Sequence, residues 1–159
     1  MPLVLEILRH GEAVPAGPGG DAARPLSSAG RHAVAALAAG LALDRWRPDR
    51  IFSSPILRAR QTAKIVREAM PDAPEIEPLD ELLPDCEPSR VLAALRVHDA
   101  RAGRVLLVTH QPLAGRLAAL LTGEAPAFRP GTLVRIECET EPGPGRGRLL
   151  HTIDPGPEG

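Results

Sequence analysis

The chain has 159 residues and a net charge of −1, from 19 basic and 20 acidic side chains. That balance offers no general attraction to nucleic acid or to an anionic membrane, and two Phe, one Trp and no Tyr leave almost nothing for bases to stack on. The length suits a single domain, read as 1–159, that buries about 70% of its unfolded surface and needs no disulfide or metal staple.

Cys86 and Cys138 lie far apart and form no ligand cluster, so they read as reduced thiols, with a single disulfide between them as the alternative. No signal-peptide pattern and no 18-residue apolar run is present. The expectation is therefore a soluble cytoplasmic protein, monomeric in the absence of any oligomerisation signal.

Residues 3–8 form a short apolar run of the buried-strand type that stops at Arg9-His10-Gly11. A cation, an imidazole and a glycine thus stand where the strand ends. In open α/β sheets that end is where ligands bind. Glu6 interrupts the run and calls for either an arginine partner or a place at a sheet edge. Residues 13–23, rich in Pro, Gly and Ala, read as a flexible loop. Ser27 or Ser28 then caps a helix whose Val34, Leu37, Ala38 and Leu41 share one face.

Residues 50–53 make a second short strand, and Pro55 opens a helix to about Met70 with Ala59, Ala63, Val66 and Met70 as its stripe. A weaker third strand spans 75–79. The segment 80–87, with Asp80, Glu81, Asp85 and Glu87, reads as a loop before a helix over 89–98 with Val91, Leu92 and Leu95 inward. Residues 104–109 carry the densest buried-strand signature and again end in a histidine, His110. Pro112 opens a last helix, with Leu113, Leu117 and Leu120 toward the core and Gly123 as its stop. A half-exposed strand over 132–138, a turn and a strand over 148–153 make a terminal antiparallel hairpin. Strands alternating with helices imply an α/β fold: a three-layer α/β/α sandwich around a mostly parallel sheet.

Three strand-to-loop junctions carry polar groups of one kind. The first holds Arg9 and His10, the second leads through Ser53-Ser54-Pro55 to Arg58, and the third holds His110. If these strands are parallel, their tips lie side by side and the groups converge. Guanidinium forks match phosphate, and a neutral imidazole aimed at phosphorus is a competent nucleophile. The surrounding cations would stabilise charge on the transferring group. Glu12 near His10 lacks further clustered ligands, so no metal or cofactor is expected. His32, His98 and His151 read as structural or solvated. Cys86 and Arg90 are too close in sequence for the Cys-x₅-Arg cradle of cysteine phosphatases, which leaves Cys86 an ordinary loop thiol.

Arg9-His10-Gly11-Glu12 at a strand tip, the run Ser53-Ser54-Pro55-Ile56-Leu57-Arg58-Ala59-Arg60-Gln61-Thr62-Ala63, and Val108-Thr109-His110-Gln111-Pro112 resemble the histidine phosphatase superfamily, which includes the cofactor-dependent phosphoglycerate mutases. The chain lacks the mutases' long insertions. With Arg24-Pro25-Leu26-Ser27 it looks most like the SixA-type phosphohistidine phosphatases. The resemblance implies the phosphoglycerate mutase-like fold, with His10 as the phosphorylated nucleophile and Arg9, Arg58 and His110 on the phosphoryl group. It also implies that the Gln111 backbone N–H binds the same anion. Glu81 takes the place of the superfamily's carboxylate acid, with Asp85 and Glu87 as substitutes. Arg24 is either a substrate-loop contact or a surface cation near a helix start. The implied activity is metal-independent hydrolysis of phosphohistidine on a protein. A small phosphorylated metabolite as substrate, or a phospho-ligand adaptor without turnover, are the rival readings.

Overall fold

The structure, a computed structural model, describes residues 2–155. Six strands form one sheet: β1 (Leu3–Arg9), β2 (Arg50–Ser53), β3 (Ile76–Pro78), β4 (Gly103–Thr109), β5 (Leu133–Cys138) and β6 (Gly147–Ile153). Their order across the sheet is β3-β2-β4-β1-β5-β6. The first four are parallel, while β5 runs antiparallel to both of its neighbours. The α/β sandwich and its terminal antiparallel hairpin are thus present. Inserting β5 between β1 and the last strand buries β1 at the centre of the sheet.

Strand periodicity sorts the core into two layers. Leu3, Leu5 and Ile7 of β1 pack with Val105 and Leu107 of β4 against Val91, Leu95, Leu113 and Leu117. Those four side chains come from α3 (Pro88–Val97) and α4 (Leu113–Thr122). Leu8, Leu106 and Val108 point the other way, onto Val34, Leu41, Ala63 and Val66. These belong to α1 (Ser28–Leu43) and α2 (Leu57–Glu68). Successive side chains of a strand face opposite sides, so a run apolar at nearly every position demands a helix layer on each face. Ser27 is the cap of α1, its Oγ accepting from the Gly30 N–H at 2.9 Å. Gly123, at φ 76°, ends α4.

The differences from expectation are local. Residue Leu133 of β5 is buried along with Val134 and Ile136, because this strand is internal rather than half-exposed. In α4 the buried stripe runs through Leu113, Leu117 and Leu121, and Leu120 is only partly covered. The loop over 13–23 folds back on itself through an Ala13–Leu26 bridge and a 3₁₀ turn at Asp21–Ala23. Among the described residues no helix is long and apolar enough to cross a membrane.

Glu6 acquires its account here. On a central strand it is fully buried, which removes the sheet-edge alternative. Its two carboxylate oxygens accept from Trp46 Nε1 at 2.7 and 2.8 Å, and Oε2 accepts from Arg135 Nε at 2.9 Å. Arg104 Nη1 lies 2.9 Å from Oε1. A buried carboxylate is tolerable only with such partners.

Candidate active site

Strand order explains why distant motifs meet. β4 lies between β2 and β1, and the register pairs Arg9 with Thr109 and Ser53 with Val108. One residue further on, His10 N–H donates to Thr109 O at 3.0 Å and Ser54 N–H donates to Val108 O at 2.9 Å. The three tips are therefore laced together at the carboxyl edge of the parallel strands, the usual ligand crevice of such sheets. The His10 and His110 ring centroids are 5.0 Å apart.

His10 is nearly buried, and its Nδ1 lies 2.7 Å from Gly11 O. A carbonyl can only accept, so Nδ1 carries the proton and Nε2 keeps its lone pair. Arg58 Nε donates to that Nε2 at 3.3 Å. Burial, opposed by the Gly11 bond and reinforced by Arg58, Arg9 and Arg24, pushes the His10 pKa down to about 4. Gly11 is required by space: a Cβ there would lie 2.7 Å from Val34 Cγ2. Its N–H donates to Thr62 Oγ1, which in turn donates to Arg58 O, fastening the loop to α2.

His110 is also buried, with Nε2 2.8 Å from Ser54 Oγ. Burial, reinforced by His10, Arg58 and Arg9 and opposed by Asp21, pushes its pKa down to about 3. If Ser54 donates to Nε2, then Nδ1 carries the ring's single hydrogen. Among the described residues, Arg9 Nε, His110 Nδ1 and Arg104 Nη1 are the buried side-chain atoms without a hydrogen-bond partner. Arg104 Nη1 nonetheless sits in its ion pair with Glu6. The other two belong to residues on either side of the tip: Arg9 precedes His10, and the His110 ring lies 5.0 Å from the His10 ring. Arg9 is anchored by Nη1 donating to Phe128 O at 2.9 Å, and desolvation lowers its pKa with help from Arg58.

Around this pair the first turns of α2 and α4 arrive, neither capped by the side chain of its N-cap residue. Such helix N-termini favour anions. Gln111 is next to His110, its side chain accepting from Gly115 N–H at 2.8 Å, while its own N–H has no partner among the described residues. Glu81 lies in a 3₁₀ turn over Asp80–Leu82 and lines an open cleft of about 540 Å³ together with Asp21, Asp85, Cys86 and Arg90. Cys86 and Cys138 are both free, and burial pushes the Cys138 thiol up to about 11. Arg24 donates from Nε to Val14 O and from Nη1 to Asp21 Oδ1.

Two groups in this constellation were absent from the sequence reading. Ser54 stood in the quoted run without a role. Asp21 stood in the supposedly flexible loop, where its one signal was a spacing of three from Arg24. Its main-chain oxygen and Oδ2 accept from Arg58 Nη1 and Nη2 at 3.0 and 3.1 Å.

Residues 5–83 match the model of the histidine phosphatase superfamily, branch 1. Over 122 residues the chain is 34% identical to the phosphohistidine phosphatase SixA of Escherichia coli K12, covering 76% of this chain and 75% of that protein. The chain belongs to the histidine phosphatase superfamily. A solved SixA protein histidine phosphatase complexed with tungstate superposes with a TM-score of 0.86 at 29% identity, covering 96% of this chain and 97% of the other. A crystal structure from Agrobacterium tumefaciens, also designated a SixA phosphohistidine phosphatase, gives 0.79 at 27% identity, covering 98% and 100%. The sheet order and helix layers are those of the superfamily's phosphoglycerate mutase-like fold.

Proposed function

We propose that this chain is a phosphatase that moves a phosphoryl group first to His10 Nε2 and then to water, with phosphohistidine on a protein as substrate. The observation that carries the reading is the state of Nε2. It is unprotonated, held by the Nδ1 bond to Gly11 O, and faced by Arg58. Arg9 Nε is a buried donor without a partner, and His110 Nδ1 is a second when Ser54 donates to Nε2; a tetrahedral anion would take up both. The tungstate held by the SixA relative is an anion of that shape.

The chemistry balances with two displacements. The Nε2 lone pair attacks phosphorus, and the substrate's P–N bond breaks with its electron pair leaving on the imidazole nitrogen, which takes a proton from solvent. Water then attacks the phosphorus on His10, losing a proton, and the P–Nε2 bond breaks to give inorganic phosphate. Arg9, Arg58, His110 and the Gln111 N–H hold the equatorial oxygens. Similarity to SixA proteins supports the phosphohistidine substrate. Glu81 on the adjacent cleft favours a second reading, a phosphomonoesterase, since a positioned acid is worth about 10²–10⁴-fold to a poor leaving group.

One experiment addresses both. Labelled phosphohistidine protein, mixed with excess enzyme and quenched in alkali, is expected to leave label on His10 and none in His10→Ala. A panel of phosphate esters run beside it is expected to turn over far more slowly. Full activity in His10→Ala removes the mechanism, and faster turnover of an ester moves the substrate to the second reading.

A further inference from the structure

Asp21 lies outside every motif that carries the family resemblance, yet it grips the guanidinium that touches His10. A guanidinium has two usable edges. The side edge presents the Nε hydrogen beside one on Nη2, and the end edge presents one hydrogen from each Nη. In Arg58 the end edge is taken, Nη1 donating to Asp21 O and Nη2 to Asp21 Oδ2. The side edge is left facing His10, with Nε on Nε2.

Arg58 needs such a counter-charge. It is the second residue of α2 and is only 5% exposed, and the first turn of that helix contains no acidic residue. A buried cation at the positive pole of a helix is held against both the dipole and its own desolvation. Asp21 supplies the missing negative charge from a different segment. It is fixed in turn by Arg24, whose Nη1 donates to Oδ1 at 3.0 Å while its Nε donates to Val14 O at 2.7 Å. Each Asp21 carboxylate oxygen thus serves a different arginine. The Arg24 bond holds the Asp21 carboxyl below its ordinary range, so it remains a carboxylate at neutral pH. It is therefore suited to aim a cation rather than to donate a proton. Its side chain is 62% exposed and adds nothing to the core.

We infer that Asp21, clamped by Arg24, is a positioning residue that occupies the end edge of Arg58 and so turns the side edge toward the phosphoryl group on His10. This deepens the proposed reaction and rests on it. Arg24 then acts through Asp21, and the loop over 13–23 becomes part of the catalytic apparatus.

The test compares wild type, D21A, D21N, R58A and D21A/R58A on phosphohistidine protein, reading single-turnover rates, KM and Tm. D21A is expected to melt below wild type, because Arg58 loses its counter-charge, and to react about tenfold more slowly at a temperature where both proteins are fully folded, as a misaimed group does. D21N, which keeps an acceptor oxygen, is expected to recover part of that loss. D21A/R58A is expected to be no slower than R58A, because without the guanidinium nothing is left to aim. A D21A rate and KM within twofold of wild type overturn the inference. So does a D21A penalty that persists in full in the R58A background, or one that vanishes once rates are corrected for the fraction folded. H10A, run in parallel, separates the two ideas: an active H10A removes the underlying reaction, whereas an inactive H10A beside an unaffected D21A removes only the positioning.

Discussion

His10 and His110 both remain neutral at pH 7 because they are buried among cations, with pKa values pushed down to about 4 and about 3. In the unfolded chain each would take up a proton near pH 6.5. Between those values the unfolded state binds more protons than the folded state. Stability is therefore fully present above about pH 6.5 and is lost as the pH falls toward 4, on the order of 3 kcal/mol for His10. Thermal unfolding followed from pH 7 to pH 4.5 is expected to show a falling Tm, with a shallower slope in His10→Gln. The same depression keeps the proposed nucleophile in its attacking form throughout the neutral range. Ser54 and Gly11 complete this picture, one orienting His110 and the other fixing the His10 tautomer.

At the level of elements, the approach of α1 to the loop after β1 places the site. Ser27 N–H donates to Glu12 O at 2.9 Å, and Ser27 Oγ donates to Glu12 Oε1 at 2.9 Å. Gly30, one turn into α1, lies so close that an added Cβ would fall onto the Glu12 carbonyl. Gly30→Ala is expected to cost about 1–3 kcal/mol in urea unfolding, since the backbone must separate, and to slow turnover by shifting Gly11 and His10. Gly40 lies on the exposed face of the same helix, with nothing within 4 Å of its Cβ position. There Gly40→Ala is expected to stabilise by about 0.5–1 kcal/mol without changing turnover. The contrast isolates contact from helix propensity, and equal effects at the two positions would refute it.

Across the whole molecule, the fold places charge in its centre. Glu6 draws Trp46 from the end of the α1 segment, Arg104 from β4 and Arg135 from β5 around one buried carboxylate. Removing it strands partly buried arginines, so Glu6→Ala is expected to destabilise by about 3–5 kcal/mol, read as a lower urea midpoint with an unchanged slope. Glu6→Gln, which keeps the shape, is expected to cost less. Parallel register does the comparable service for the site. Because β4 lies between β1 and β2, His110 stands beside His10 and within hydrogen-bond reach of Ser54, although the three residues come from separate parts of the chain.

The sequence by itself determined the elements and the principal polar groups at their ends. Periodicity of two and of 3.6 is local, and so are the caps and stops supplied by Ser27, Pro112 and Gly123, whereas Pro55 lies in the bend before α2, whose cap is Ile56. Arg9, His10, Arg58 and His110 were legible because each follows a strand at a junction with a recognisable run. Only the tertiary structure decided what depends on contacts between distant segments. It placed β5 beside β1, which buried Glu6 and Leu133 instead of leaving an edge. It gave Ser54 to His110. It brought Asp21 from a Gly- and Pro-rich loop onto the far edge of Arg58. A lone aspartate in such a loop has no period and no fixed partner in sequence, so its meaning depends on where the loop folds back.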